Sequence, residues 1–208
     1  VNYTQLFNLV QDYCETREAT FVANIPVFVR QAEERIYRSL NLPELHKEVT
    51  VTTTSGSSFL NRPVDFVAPI SLAVVVSGSR SYLLNKDVSF IREAYSSSTL
   101  GIPKYYAQLD GKTTGLPGRF ILGPTPNAVY NIEIRYVYDP PSIVTDNVTW
   151  LGDIAETALL YGTIVEAYVY LKGESSDMAT QYKARYDEAM EKLSKINLRS
   201  YLDYYRSS

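Results

Sequence analysis

Asn24-Ile25-Pro26-Val27-Phe28-Val29-Arg30-Gln31-Ala32-Glu33-Glu34-Arg35-Ile36-Tyr37-Arg38-Ser39-Leu40 reads as one amphipathic helix. Asn24 stands where a side chain caps a helix start. Pro26 then falls in the first turn, where a backbone N–H has no helical partner to lose. Ile25, Phe28, Val29, Ala32, Ile36 and Leu40 recur at helical period, and Arg30, Glu33, Glu34, Arg35 and Arg38 take the opposite face. A second stretch, Trp150-Leu151-Gly152-Asp153-Ile154-Ala155-Glu156-Thr157-Ala158-Leu159-Leu160-Tyr161-Gly162, answers it far downstream. The residues between read as strands. The expected fold is therefore α+β. An antiparallel bundle of about four helices (1–45 and 150–197) carries an inserted small antiparallel β sandwich or barrel (46–149), and a C-terminal tail follows (198–208).

Working outward, Asn2 with Gln5 predicts a capping box for a first helix from Thr4 to Arg17, broken at Glu18-Ala19-Thr20. Pro43 closes the helical pair. From Glu48 the period changes to two, and Ser55-Gly56-Ser57-Ser58 and Ser77-Gly78-Ser79 read as turns. Phe66 to Val76 is β-branched and apolar, with Pro69 demanding an edge, bulge or break. Asp87 is placed to cap a short helix reaching Tyr95. The clearest strand is Tyr130 to Tyr138, with Tyr130, Ile132, Ile134, Tyr136 and Tyr138 on one face. Asp153 and Glu156 predict a second capping box, opening a helix apolar nearly all round that ends at Gly173. A last amphipathic helix runs from about Ser176 to Asn197.

The chemistry is sparse. The chain has 208 residues, a net charge of −3, one cysteine (Cys14) and one histidine (His46). An acidic balance argues against a grip on nucleic acid, which needs a basic face. A single cysteine allows no internal disulfide and no cysteine-based zinc site. The first residues lack a basic-then-apolar signal pattern, and the greasy run from Ile154 to Leu171 is broken by Glu156 and Glu166. No Gly-x-Ser-x-Gly elbow accompanies His46, which reads as a boundary residue. Gly111-Lys112-Thr113-Thr114 imitates the end of a phosphate-binding loop, but the position that needs a glycine holds Tyr106. No catalytic residue, cofactor or metal is expected. Glu166 lies on the apolar helix, where a lone charge is costly, so pairing with Arg30 or Arg35 is expected. If that pair is buried, breaking it costs roughly 3–5 kcal/mol. Tyrosine is over-used, at 18 residues. Its ring with a polar tip suits interfaces, most of all in the C-terminal cluster.

Several blocks carry a resemblance: Phe21-Val22-Ala23-Asn24-Ile25-Pro26, Arg30-Gln31-Ala32-Glu33-Glu34-Arg35-Ile36-Tyr37, Leu84-Asn85-Lys86-Asp87, Phe120-Ile121-Leu122-Gly123-Pro124-Thr125-Pro126, Thr149-Trp150-Leu151-Gly152 and Ala158-Leu159-Leu160-Tyr161-Gly162. Together and in this order they resemble the head-to-tail adaptor proteins of short-tailed phages, also called tail tubular protein A. The glycine-rich loop Leu109 to Gly118 matches no block. The resemblance implies a helical body with a β insertion. It also implies a dodecameric ring that joins the portal protein to the tail nozzle protein, with genome DNA passing through the lumen unbound. Tail fibres are a further candidate partner, and no membrane is implied. The expected location is the virion tail, assembled in the host cytoplasm. Terminal segments of such adaptors dock on the portal, so Tyr201, Tyr204, Tyr205 and Arg206 are the expected partner-binding residues. Two rivals stand beside this reading. One is an enzyme built on carboxylates such as Asp65, Asp139 and Asp153. The other is a monomeric module whose exposed strand edge binds a peptide or glycan.

Overall fold

The structure, a computed structural model, describes residues 1–39, 45–96, 98–111, 113, 116–174 and 176–206, with backbone alone for 196–206. In chain order the elements are α1 (Tyr3–Cys14), α2 (Ala19–Ser39), β1 (His46–Thr52), β2 (Phe59–Asn61), β3 (Phe66–Val76), β4 (Ser79–Tyr82) and β5 (Leu84–Asn85). Then come α3 (Val88–Ala94), β6 (Leu100–Gly101), β7 (Tyr105–Gln108), β8 (Arg119–Gly123), β9 (Thr125–Pro126) and β10 (Asn131–Tyr138). The chain closes with α4 (Ile143–Asp146), α5 (Trp150–Ile154), α6 (Glu156–Lys172) and α7 (Asp177–Arg206). The fold is mixed α+β, with seven helices among the described residues: four long ones, α1, α2, α6 and α7, and three of seven residues or fewer. Contacts divide it into Val1–Pro43 with Pro141–Ser208, and Glu44–Pro140.

In the helical unit, α1 starts where its capping box predicts: Asn2 Oδ1 accepts from Gln5 N–H at 2.9 Å, and Gln5 Oε1 accepts from Asn2 N–H at 3.0 Å. It stops at Cys14 rather than Arg17, because Glu15 turns left-handed (φ 49°) and ends the hydrogen-bond ladder. α2 begins at Ala19, not Asn24, so Pro26 sits inside the helix and Asn24 is no cap. The Asn24 side chain instead donates to the Thr20 carbonyl at 2.8 Å. An interior proline costs about 3 kcal/mol. Phe21 and Ile25, both wholly buried, extend the apolar stripe by a turn and offset that cost. Leu40 and Pro43 lie outside the described residues.

The second capping box is not formed. Thr149 caps the short α5, and α6 starts after Ala155 without a side-chain cap. α6 is buried around most of its girth and packs on α1, α2 and α7, which is why its sequence shows no polar face. At Gly162 a methyl group would stand 3.1 Å from the Tyr186 ring and 3.2 Å from Ala32, so the missing side chain lets α2 and α7 close on α6. α6 ends at Gly173 (φ +82°) as its sequence indicates. α7 runs on to Arg206, so the residues after Asn197 begin as continued helix rather than as a separate tail. Residues 141–149, read from sequence as the end of the β module, belong with the helices, and Ile143 is wholly buried in the helical core. No described helix is long and apolar enough to cross a membrane.

The β unit holds two four-stranded sheets, ordered β1-β10-β3-β4 and β2-β8-β7-β5, and a small β6-β9 pair. Two pairings, β5 with β7 and β6 with β9, are parallel, against the all-antiparallel expectation. The sheets are open, so the barrel alternative is not realised. β10 alternates as its sequence predicts: Ile132, Ile134 and Tyr136 are wholly buried. They meet Leu72 and Val74 of β3, and Phe120 and Leu122 of β8, in one core. Pro69 pairs opposite Tyr136 beside a register shift, the bulge that a proline in a strand requires. α3 is capped by Asp87, whose carboxylate accepts from Ser89 N–H at 2.8 Å.

Candidate functional site

Each of the polar clusters described here lies within one unit. On the helical unit, Glu166 of α6 pairs with Arg35 of α2. Glu166 is mostly covered, but the Arg35 side chain is 46% exposed. Arg30 is not the partner, and its charge acts on Glu33 and Tyr3 instead. Gln31, Glu34, Arg35, Arg38, Ser39 and Glu166 line an open polar cleft of about 460 Å³, where Glu34 and Arg38 pair one helical turn apart at 2.5 Å. Water reaches the guanidinium, so the condition for a 3–5 kcal/mol effect is not met. Glu166→Ala should lower stability by about 1 kcal/mol. Urea unfolding of the variant checks this, and a loss near 4 kcal/mol would mean the pair is dry.

The buried carboxylate of this unit is Glu33, a residue the sequence places on the polar face. It accepts from Ser142 Oγ–H at 2.5 Å and from Ile143 N–H at 2.8 Å. Ser142 Oγ in turn accepts from Val144 N–H at 3.2 Å. Glu33 thus satisfies the free donors at the start of α4 and fixes the returning chain onto α2. Burial pushes its carboxyl above the usual range, against the opposing pull of Ile143, Ser142 and Arg30. The spacing Ile25-Val29-Glu33-Ile36 puts Glu33 on the buried stripe, and that was the signal available in the sequence.

Tyrosines gather where α1, α6 and α7 meet. The Tyr168 and Tyr182 rings stack at 5.5 Å, Tyr13 and Tyr161 meet Tyr182 at 6.1 Å, and Tyr168 donates to the Tyr13 carbonyl at 3.0 Å. Arg185 covers Tyr161 and Tyr182. These rings act within the helical unit. Beside them the Cys14 thiol is pushed up to about 11 by burial, which makes it a poor nucleophile at neutral pH. The side chains of Tyr201, Tyr204, Tyr205 and Arg206 lie outside the described residues; their backbone forms the last turns of α7.

In the β unit, Asp65 accepts from Lys47 Nζ at 2.7 Å and from Tyr136 Oη–H at 2.8 Å. Burial works against its charge, but these hydrogen bonds prevail and hold the carboxyl below the usual range. Burial and the Asp65 hydrogen bond together push the Tyr136 hydroxyl strongly up. Asp139 meets Asp65 only through the main chain, its N–H donating to the Asp65 carbonyl at 2.7 Å. Asp153 lies in α5, and His46 opens β1 opposite Val137. Among the described residues no group of three His, Cys, Asp or Glu could hold a metal ion.

Sequence reasoning also missed Arg62, a nearly buried cation. Its guanidinium donates to Gln108 Oε1 at 3.0 Å and to the Asp110 carbonyl, and lies 4.9 Å from the Phe66 ring centre and 5.8 Å from that of Phe120. Burial lowers its basicity, and Asp110 opposes that. Arg119 grips the Asp110 carboxylate at 2.6 Å. Gly118 makes room for this clamp: a methyl group there would overlap the Arg62 guanidinium and the Asp110 carbonyl. The base of the glycine-rich loop 109–118 is therefore fixed; Lys112, Thr114 and Gly115 lie outside the described residues.

Each cluster braces its own unit, and among the described residues none aligns a nucleophile, a base and a third group for bond-making. The comparison that decides the class covers the chain from end to end: the family model for the SU10 adaptor protein matches residues 1–207. The chain belongs to the SU10 adaptor family. That agrees with the phage head-to-tail adaptors its blocks resemble, and makes the adaptor a structural component of a virion that meets portal and tail parts. The family is structural rather than enzymatic. No curated protein matches the adaptor in sequence.

Proposed function

We propose that the adaptor is one subunit of a closed homo-oligomeric ring, dodecameric by resemblance, that joins the portal to the tail nozzle. The family match over residues 1–207 carries this reading. In a ring each subunit meets two neighbours through one heterologous interface, and closure follows when the rotation between them divides a full turn. Genome DNA passes through the lumen without specific binding. A net charge of −3 supports this, since a basic lumen would retain phosphates and slow ejection. The helical unit, Val1–Pro43 with Pro141–Ser208, forms the body and Glu44–Pro140 the insertion. The subunit joins the tail of the virion during assembly in the host cytoplasm.

The portal contact is assigned to residues 198–208, with Tyr201, Tyr204, Tyr205 and Arg206 as anchors, because tyrosine and arginine dominate interface energetics. α7 reaching Arg206 puts these residues on a helix end rather than on an unstructured strand of chain. Deleting 198–208 should remove the last turns of α7, leave the melting temperature within about 3 °C and abolish co-sedimentation with the purified portal. A truncated protein that joins the portal with unchanged affinity would move the contact elsewhere.

A further inference from the structure

Eight of the ten described strands of the β unit form one connected series, with the β6-β9 pair outside it. β1, β10, β3 and β4 pair in turn, β4 passes through the buried Leu83 into β5, and β5, β7, β8 and β2 pair in turn. The series begins at β1 and ends at β2, which residues 53–58 connect. Among the described residues no ladder joins those two strands.

The phase of each ladder fixes which main-chain groups face the gap. Thr53 N–H donates to the Tyr130 carbonyl at 2.9 Å, continuing the unbroken register of β1 on β10. Residues 51, 49 and 47 therefore turn their N–H and C=O to β10, and Glu48, Thr50 and Thr52 turn theirs away. On β2, bonds from Leu122 N–H to the Ser58 carbonyl (2.8 Å) and from Arg62 N–H to the Gly118 carbonyl (2.9 Å) bracket Leu60. Phe59 and Asn61 thus turn their main-chain groups away from β8. A groove of about 840 Å³ lies along both edges, lined by Thr50, Thr52, Phe59 and Asn61 among others. β1 has seven residues, so the groove edge runs roughly 23 Å.

Donors and acceptors along both walls are what an extended polypeptide satisfies, and a compact ligand does not. The charge of the groove narrows the choice. Lys47 and Arg119 line it already paired, with Asp65 and with Asp110, which leaves Arg62 as the lining cation with no carboxylate partner among the described residues. Arg62 is 8% exposed, and its Nε has no acceptor among the described residues.

We infer that the gap between β1 and β2 takes one extended, carboxylate-bearing segment of a partner polypeptide, added as a strand between them. Main-chain hydrogen bonds to Thr50 and Asn61 hold it, and its acidic side chains lie on the face that carries Arg62. The inference goes beyond ring closure and stands without it.

The test uses the full chain and three acetylated, amidated peptides. One is Thr-Asp-Val-Glu-Val-Asp-Thr, one has lysine at its acidic positions, and one has proline in place of the central glutamate. Amide NMR should show the acidic peptide shifting Glu48, Thr50, Thr52, Phe59 and Asn61 and slowing their hydrogen exchange. The lysine peptide should bind about tenfold more weakly or worse, and the proline peptide not at all. Thr50→Pro removes a donor that faces only the gap, so it should abolish binding while melting stays close to that of the parent. Silence at millimolar acidic peptide, or equal binding of the lysine peptide, overturns the inference. So does peptide-free self-association that Thr50→Pro abolishes, because the occupant would then be a second copy of this chain.

Discussion

Glu33→Ala should cost the adaptor about 2–4 kcal/mol. The substitution strands Ser142 Oγ–H and Ile143 N–H in the helical core and leaves a cavity where the carboxylate stood. Glu33→Gln keeps one acceptor and most of the volume, so it should cost about 1 kcal/mol near neutral pH. The two variants also separate in their pH dependence. Because Glu33 holds its proton more tightly in the folded state, its contribution is complete below the ordinary carboxylate range and is lost as pH rises through the raised value. The parent should therefore lose stability relative to Glu33→Gln as pH climbs from about 4 toward neutrality. Asp65 acts with the opposite sign: its contribution is present above the ordinary value and is lost as pH falls through the depressed one. Urea midpoints of parent and Glu33→Gln across this range measure the difference. A difference that does not change with pH would mean that Glu33 is solvated.

Gly118→Ala should have an effect of similar size, about 3 kcal/mol, through a different cause. The new methyl group occupies the place of the Arg62 guanidinium, which must leave its hydrogen bonds to Gln108 and Asp110 and its seat against Phe66 and Phe120. Arg62→Met alone should also destabilise, since Asp110 loses a donor. Combined with Gly118→Ala, however, it should cost less than the sum, because the overlap with the side chain at position 62 is relieved while that with the Asp110 carbonyl remains. A strictly additive pair would show that Gly118 acts through its approach to the Asp110 carbonyl and not through Arg62.

The helical and strand content was largely legible in the sequence because burial is periodic: the stripe of α2, the alternation of β10 and the all-round apolarity of α6 each follow from which faces meet the core. Helix starts were less legible. Asn24-x-Pro26 carries the local chemistry of a start, yet Phe21 buries well enough to draw the helix one turn further back. At α6, Asp153 and Glu156 have cap spacing, but Thr149 takes the capping role for a separate turn. The polar clusters were the hardest to read. Glu33 was assigned outward by its charge although its spacing points inward, and only the distant Ser142 and Ile143 explain how its burial is tolerated. Arg62 shares a strand face with Leu60, but nothing local announces that Gly118 clears its path. The parallel pairings of β5 with β7 and of β6 with β9 depend on strands distant in sequence, which a local period cannot report.

The central claim is that this adaptor closes into a ring against the portal. Electron microscopy of the purified protein mixed with its portal tests it most directly. The account predicts annular particles of one fixed subunit number, twelve by resemblance, seated coaxially on the portal with an open lumen. Monomers alone, with bare portals beside them at every concentration tried, would contradict it.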